Sequence, residues 1–154
     1  MIAAAITIGA IGLSATMTAQ PPRVDKEMQA RQARIDETVA AYAAAWSEAD
    51  VAKRRELLEQ AWAADGVYTD PTAHVEGREA LVQHISGFLK SLPGHRIEAT
   101  SRADVHHNLL RFSWRLTKPD GSVMTEGMDF GTIDASGRLT RIVGFFGPFP
   151  TLGR

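Results

Sequence analysis

Apolar residues recur along the first half of the chain with a helical period and along the second half with a period of two. Ile35, Val39, Tyr42 and Trp46 are spaced by four, three and four, the stripe of an amphipathic helix running from about Asp25 to Ala49. Asp50 is a suitable N-cap for a second helix, with Leu57, Leu58, Ala61 and Trp62 on its buried face and Lys53, Arg54 and Arg55 on its solvated one. Gly66 releases the chain into a short strand, Val67 to Thr69. Gly77 then precedes a third helix with Leu81, Ile85, Phe88 and Leu92 at helical spacing, stopped by Pro93-Gly94.

After Gly94 the pattern alternates. Ile97 to Val105 reads as a strand with one buried face, and Leu110, Phe112, Trp114 and Leu116 mark the next. Pro119-Asp120-Gly121 and Ala135-Ser136-Gly137 are turns that separate the strands Ser122 to Ile133 and Arg138 to Phe146. Three helices followed by a meander of long antiparallel strands predict an α+β fold with the helices on one face of a curved sheet.

The candidate chemistry centres on Asp70. Pro71 cannot continue a helix and pushes Asp70 towards extended geometry, so its carboxylate either ends a strand with a fixed direction or starts a turn. None of the five histidines forms a metal-binding pair on a helix. His106 and His107 are adjacent on a predicted strand, and parity with Val105 turns His107 inward, where it is a hydrogen-bonded core residue or an acid-base group. His84 reads as a helix-sheet boundary residue. The inward stripes supply Tyr42, Trp46, Trp62, Phe112, Trp114, Ile142 and Phe146, enough to enclose a flat apolar ligand or to pack solidly against one another.

Composition narrows the partners. The 154 residues, 44% hydrophobic with a net charge of -1, suit one domain with a real core, and the interspersed charges leave no basic face for nucleic acid or a membrane surface. With no cysteine, neither a disulfide, a thiolate nucleophile nor a cysteine-ligated zinc is possible. Residues 1–23 stand apart from the domain expected over 24–154. The apolar run Ile2 to Leu13 is too short to span a membrane and has the length of a signal-peptide core, with cleavage after Ala19, but no Lys or Arg precedes Arg23. Export to the periplasm or medium follows if residues 1–19 are cleaved, and a cytoplasmic location if they are not.

Three groups of residues carry a family resemblance: Tyr42, Trp46 and Asp50 in the first helix; Gly66 to Pro71 before Gly77 and Leu81; and Gly127, Asp129 and Phe130 before Gly137 and the run Gly144 to Gly147. Over about Arg31 to Pro148 the chain resembles the nuclear transport factor 2-like superfamily, in its SnoaL-like and ketosteroid isomerase-like branch. The resemblance implies a cone, a cystatin-like α+β roll whose bent antiparallel sheet wraps around three N-terminal helices and encloses an apolar pocket, often in a homodimer. It implies a cofactor-free isomerase or cyclase, or a dehydratase, with Asp70 as base and Tyr42 and Asp129 as donors to an enolate oxygen, a division of labour known for ketosteroid isomerase. His107 could add a second acid-base group, as histidine does in dehydratases of the superfamily. Trp46, Trp62, Phe112, Trp114, Ile142 and Phe146 would surround a small apolar ligand, and no metal is implied. This superfold also hosts simple binding proteins and interaction modules, so a non-catalytic pocket for a hydrophobic ligand is the alternative.

Overall fold

The computed structural model describes residues 23–153; the predicted signal-like segment lies outside the described residues. Helices α1 (Arg23–Ala45) and α2 (Val51–Ala61) are followed directly by strand β1 (Trp62–Asp70) and the short β2 (Ala73–Glu76). After α3 (Arg78–Ser91) come β3 (Arg96–Ala99), β4 (Asp104–His106), β5 (Leu109–Thr117), β6 (Val123–Ile133) and β7 (Leu139–Phe146). The strands form one open sheet in the order β2-β1-β7-β6-β5-β3, with β4 also paired to β5. The helices cover its inner face, so the α+β cone stands.

At one pair the sheet departs from the expected all-antiparallel arrangement. β1 lies parallel to β7, Tyr68 opposite Ile142 and Thr69 opposite Val143, which makes the sheet mixed. The cause is the crossing of α3. It carries the chain to the far edge, and the antiparallel meander then returns its last strand beside the first.

Two other boundaries shift for local reasons. Trp62, expected on the buried face of α2, is the first residue of β1, and its indole lies over Gly66, where a Cβ would come within 2.4 Å of Nε1. The single strand expected from Ile97 to Val105 is split into β3 and β4 because α1 pulls its middle out of the ladder. Gln32 donates to the Ala103 carbonyl at 2.9 Å, and Arg102 donates to Asp36 at 2.6 Å.

The core joins Ile35, Val39, Tyr42 and Trp46 of α1 and Leu81, Val82 and Ile85 of α3 to the inner row of the sheet. A cation is buried beside them. Arg54, expected on a solvated basic face with its neighbours, is only 2% exposed. Its guanidinium donates to the carbonyls of Glu48, Ala49 and Val82 and to the Ser86 hydroxyl, tying the loop after α1 to α3. Helical phase explains the difference, since Arg54 lies four residues before Leu58 and shares its buried face. Arg55, by contrast, pairs with Glu79 at the surface.

Replacing Arg54 with Leu strands those acceptors without water. We expect a loss of roughly 2–4 kcal/mol in denaturant unfolding, against a change within about 0.5 kcal/mol for Lys53→Ala.

Candidate active site

Between α3 and the sheet lies a pocket of about 610 Å³ whose walls include Tyr42, Trp46, Phe88, Phe112, Trp114 and Phe146. Its shape follows from residue size along the sheet register. Trp114 stands opposite Gly127, and Gly127 opposite Phe146; in the next inward row Phe112 stands opposite Asp129, and Asp129 opposite Gly144. Glycine alternates with large rings, so the rings lie down over vacated positions. A Cβ on Gly127 would sit 2.3 Å from the Trp114 ring, and the two rings of Trp114 and Phe146 meet edge to face at 5.4 Å.

Two aspartates flank Gly144. A Cβ there would approach Asp129 Oδ1 to 3.1 Å and Asp70 Cβ to 3.6 Å, so only glycine leaves the space between them clear. Their environments differ. Asp70 Oδ1 accepts from the Thr72 amide at 2.6 Å, the Thr72 hydroxyl at 2.8 Å and the Ala73 amide at 2.7 Å, while Oδ2 accepts from the Tyr68 hydroxyl at 2.7 Å. Burial works to raise its pKa, but these four donors outweigh burial and hold Asp70 below the ordinary carboxylate range. The Asp-Pro turn and the strand-end carboxylate are thus one structure.

Asp129 is 5% exposed and, among the described residues, accepts a single hydrogen bond, at Oδ1 from the Trp114 indole at 2.8 Å. Burial pushes its pKa up to about 7; the Trp114 bond opposes this and the charge of Asp70 adds to it. Tyr42 is raised well above the usual phenol range by burial and by the charge of Asp129, so it stays a neutral hydroxyl donor. The pocket therefore holds one carboxylate fixed in its ionised form, one carboxyl that titrates near neutrality, and a phenol. Such a split between two acids assigns different roles to them.

Of the residues expected to act or to line the pocket, Tyr42, Asp70, Asp129, Trp46, Phe112, Trp114 and Phe146 all reach it. Three do not. Trp62 is wholly buried behind Tyr42, its ring stacked on the phenol at 5.6 Å, and Ile142 is sealed beneath the same layer. His107 is exposed, because β4 ends at His106 and His107 turns the chain with φ 53°, which breaks the parity that pointed it inward. Its carbonyl accepts from Arg31 on α1.

Tyr68 and His84 are among the wall residues that escaped sequence reasoning. Tyr68 is two residues before Asp70 and so shares its strand face, a period-two signal that was available. His84 on α3 lines the pocket, its ring 5.7 Å from Trp46 and 5.6 Å from Tyr68, although it read as a boundary residue. Among the described residues no cluster of side chains could hold a metal ion, and no helix is long and apolar enough to cross a membrane.

Residues 39–142 match the family model described as a SnoaL-like domain. Among solved structures, a SnoaL-like family protein from Agrobacterium tumefaciens, described as a candidate isomerase, is 36% identical with a TM-score of 0.69, covering 77% of this chain and 99% of its own. A candidate polyketide cyclase from Sinorhizobium meliloti is 20% identical with a TM-score of 0.58, covering 74% and 98%. A cystatin-like protein of unknown function from Methylobium petroleophilum is 17% identical with a TM-score of 0.63, covering 80% and 82%. The last two are likenesses of fold alone. Comparison with curated proteins gives no match.

Asp129 leaves a thermodynamic signature. Its pKa in the folded state lies above that of the unfolded chain, so its contribution to stability is complete below about pH 4 and is lost as the pH rises through about 7. Asp129→Asn keeps the acceptor for Trp114 and removes the titration. Its unfolding free energy relative to the wild type should climb between pH 4 and 7, and above that range exceed it by a few kcal/mol, on the order set by a shift of this size. A flat difference across that pH range in urea titrations would contradict this.

Proposed function

The chain belongs to the SnoaL-like domain family, and from that membership and the unequal pair of carboxylates we propose that it catalyses proton transfer next to a carbonyl, as an isomerase or cyclase acting without a cofactor. The observation that carries this reading is the split between Asp70, held ionised by four donors, and Asp129, which titrates near neutrality with Oδ2 uncommitted. A base is most effective when its pKa lies near the working pH, so Asp129 takes the proton. Burial makes Asp129 basic, and Asp70, expected from the sequence as the base, is a fixed charge that adds to it.

In the step so assigned, the ionised Asp129 removes a proton from the carbon beside the carbonyl. The C–H electron pair moves into the enolate, whose oxygen is held by the Tyr42 hydroxyl. Asp129, now protonated, returns the proton to another carbon and completes an isomerisation. Attack of the same enolate carbon on a second carbonyl of the substrate would instead close a ring. The aromatic walls lower the polarity around the Tyr42 hydroxyl, which strengthens it as a donor. The related Agrobacterium protein, described as a candidate isomerase, supports this reaction class.

On the outer face of the sheet Phe130 and Phe145 are exposed and meet edge to face at 6.1 Å. A second copy packing there is the partner state that goes with this reading. Sedimentation should show twice the chain mass for the wild type and the single mass for Phe145→Glu, whereas a monomeric wild type would leave these rings as plain surface.

The catalytic assignment is tested with β,γ-unsaturated cyclic ketones. We expect kcat/KM to rise with pH through about 7 and then level off. Asp129→Asn should lose roughly 10²–10⁴-fold. Asp70→Asn should remain active, with the midpoint of its pH profile moved down because the charge that raises Asp129 is gone. Loss of turnover confined to Asp70→Asn would return the base to Asp70, and no turnover by the wild type on a broad ketone panel would favour a binding protein.

A further inference from the structure

Most polar groups around the pocket are already engaged with the protein. The Tyr68 and Thr72 hydroxyls donate to Asp70, Ser91 donates to the Gly87 carbonyl, and Trp114 donates to Asp129. On the sheet side this leaves Asp129 Oδ2, and on α1 the Tyr42 hydroxyl, which lines the same pocket. On the α3 wall it leaves the Gln83 carbonyl at the exposed rim and, deeper, His84. The His84 imidazole is half-buried, packed against the touching rings of Trp46 and Tyr68, and neither nitrogen has a hydrogen-bond partner among the described residues.

A ring fixed by aromatic neighbours, with both nitrogens free, costs little further ordering when it binds a polar atom. It can donate through one nitrogen and accept through the other, so it suits a hydroxyl or a carbonyl equally. The pocket lining also contains no Lys or Arg, while it contains two aspartates. A ligand carboxylate or phosphate would meet the fixed charge of Asp70 with no cation to compensate it.

We propose that His84 is a second recognition point, and that the ligand is an uncharged, flat ring compound with two oxygen functions. One is the carbonyl held by the Tyr42 hydroxyl with Asp129 facing the carbon beside it, and the other is a hydroxyl or carbonyl at the opposite end, held by His84. This deepens the proton-transfer reading and rests on it for the first of the two oxygens. His84 is a recognition residue here and takes no part in moving the proton.

The test measures binding by calorimetry, with three probes: β-naphthol, a naphthalenediol with its hydroxyls at opposite ends, and the hydroxynaphthoate in which one hydroxyl is replaced by a carboxylate. Wild-type protein should bind the diol roughly tenfold more tightly than β-naphthol, the worth of one neutral hydrogen bond. His84→Phe, which keeps a ring against Trp46 and Tyr68, should bind both equally and at the wild-type affinity for β-naphthol. His84→Gln should keep part of the advantage. The hydroxynaphthoate should bind at least about tenfold more weakly than the diol. Equal binding of diol and β-naphthol by the wild type would overturn the proposal, as would an advantage that survives in His84→Phe, tighter binding of the hydroxynaphthoate, or no binding of any probe. Asp129→Asn separates this from the catalytic reading, because it should lose turnover and still prefer the diol. Turnover that survives in Asp129→Asn, with that preference intact, would sink the reaction and leave His84 in place.

Discussion

Holding a carboxyl group almost out of water is the most demanding thing this fold does, and much of the sheet's inner face is arranged around it. Asp129 can stay buried because Trp114 reaches it with an N–H, and Trp114 can reach it because Gly127 has no side chain to lift the indole away. Gly144 does the same for the other carboxylate, leaving room for Asp70 to stand nearby without a clash. The small residues of this sheet are thus electrostatic devices as much as packing devices. They decide how near two negative groups come and how dry the nearer surroundings are, and these two quantities set a proton affinity.

Most of this architecture can be read from residue order. The helical stripes of α1 and α3, the turn residues at Pro119 to Gly121 and Ala135 to Gly137, and the alternation in β5 are local signals that each element carries in full. The candidate site was legible where it depended on strand parity or helix phase, which is why Tyr42, Asp70, Phe112 and Asp129 converge as expected. It was not legible where tertiary contacts override the local pattern. Asp36 and Gln32 of α1 hold the segment at Ala103 out of the ladder, and a single left-handed residue at His107 undoes the parity of everything counted from Val105. Trp62 shows a different limit. Its burial was foreseen, but whether a buried ring faces a cavity or backs the ring that does depends on which residue lies one layer further in.

The two acids also show why residue identity alone leaves catalytic roles open. Asp70 and Asp129 are the same side chain on the two strands that flank β7, and nothing in their flanking sequence ranks their basicity. The ranking comes from counting donors, four at one carboxylate and one at the other. Of these, the donors from residues 72 and 73 could have been anticipated from the turn that Pro71 begins. The indole could not, since it arrives from a strand whose register with β6 only the folded sheet defines.

The parallel pairing of β1 with β7 bears on how the molecule comes into being. β1 ends at Asp70, and its neighbour in the sheet begins at Leu139, so the seam between them closes only when the last strand has left the ribosome. Loop-closure entropy makes such a distant pairing a late and slow event, while the α1–α2 hairpin and the β5–β6 and β6–β7 hairpins assemble from local contacts. Asp70 and Asp129 are therefore kept apart through most of folding and are brought together by the final ladder. Their mutual repulsion falls on the one step that the remaining core is already formed to support, and a chain cut short before β7 would keep each acid yet have no acid pair.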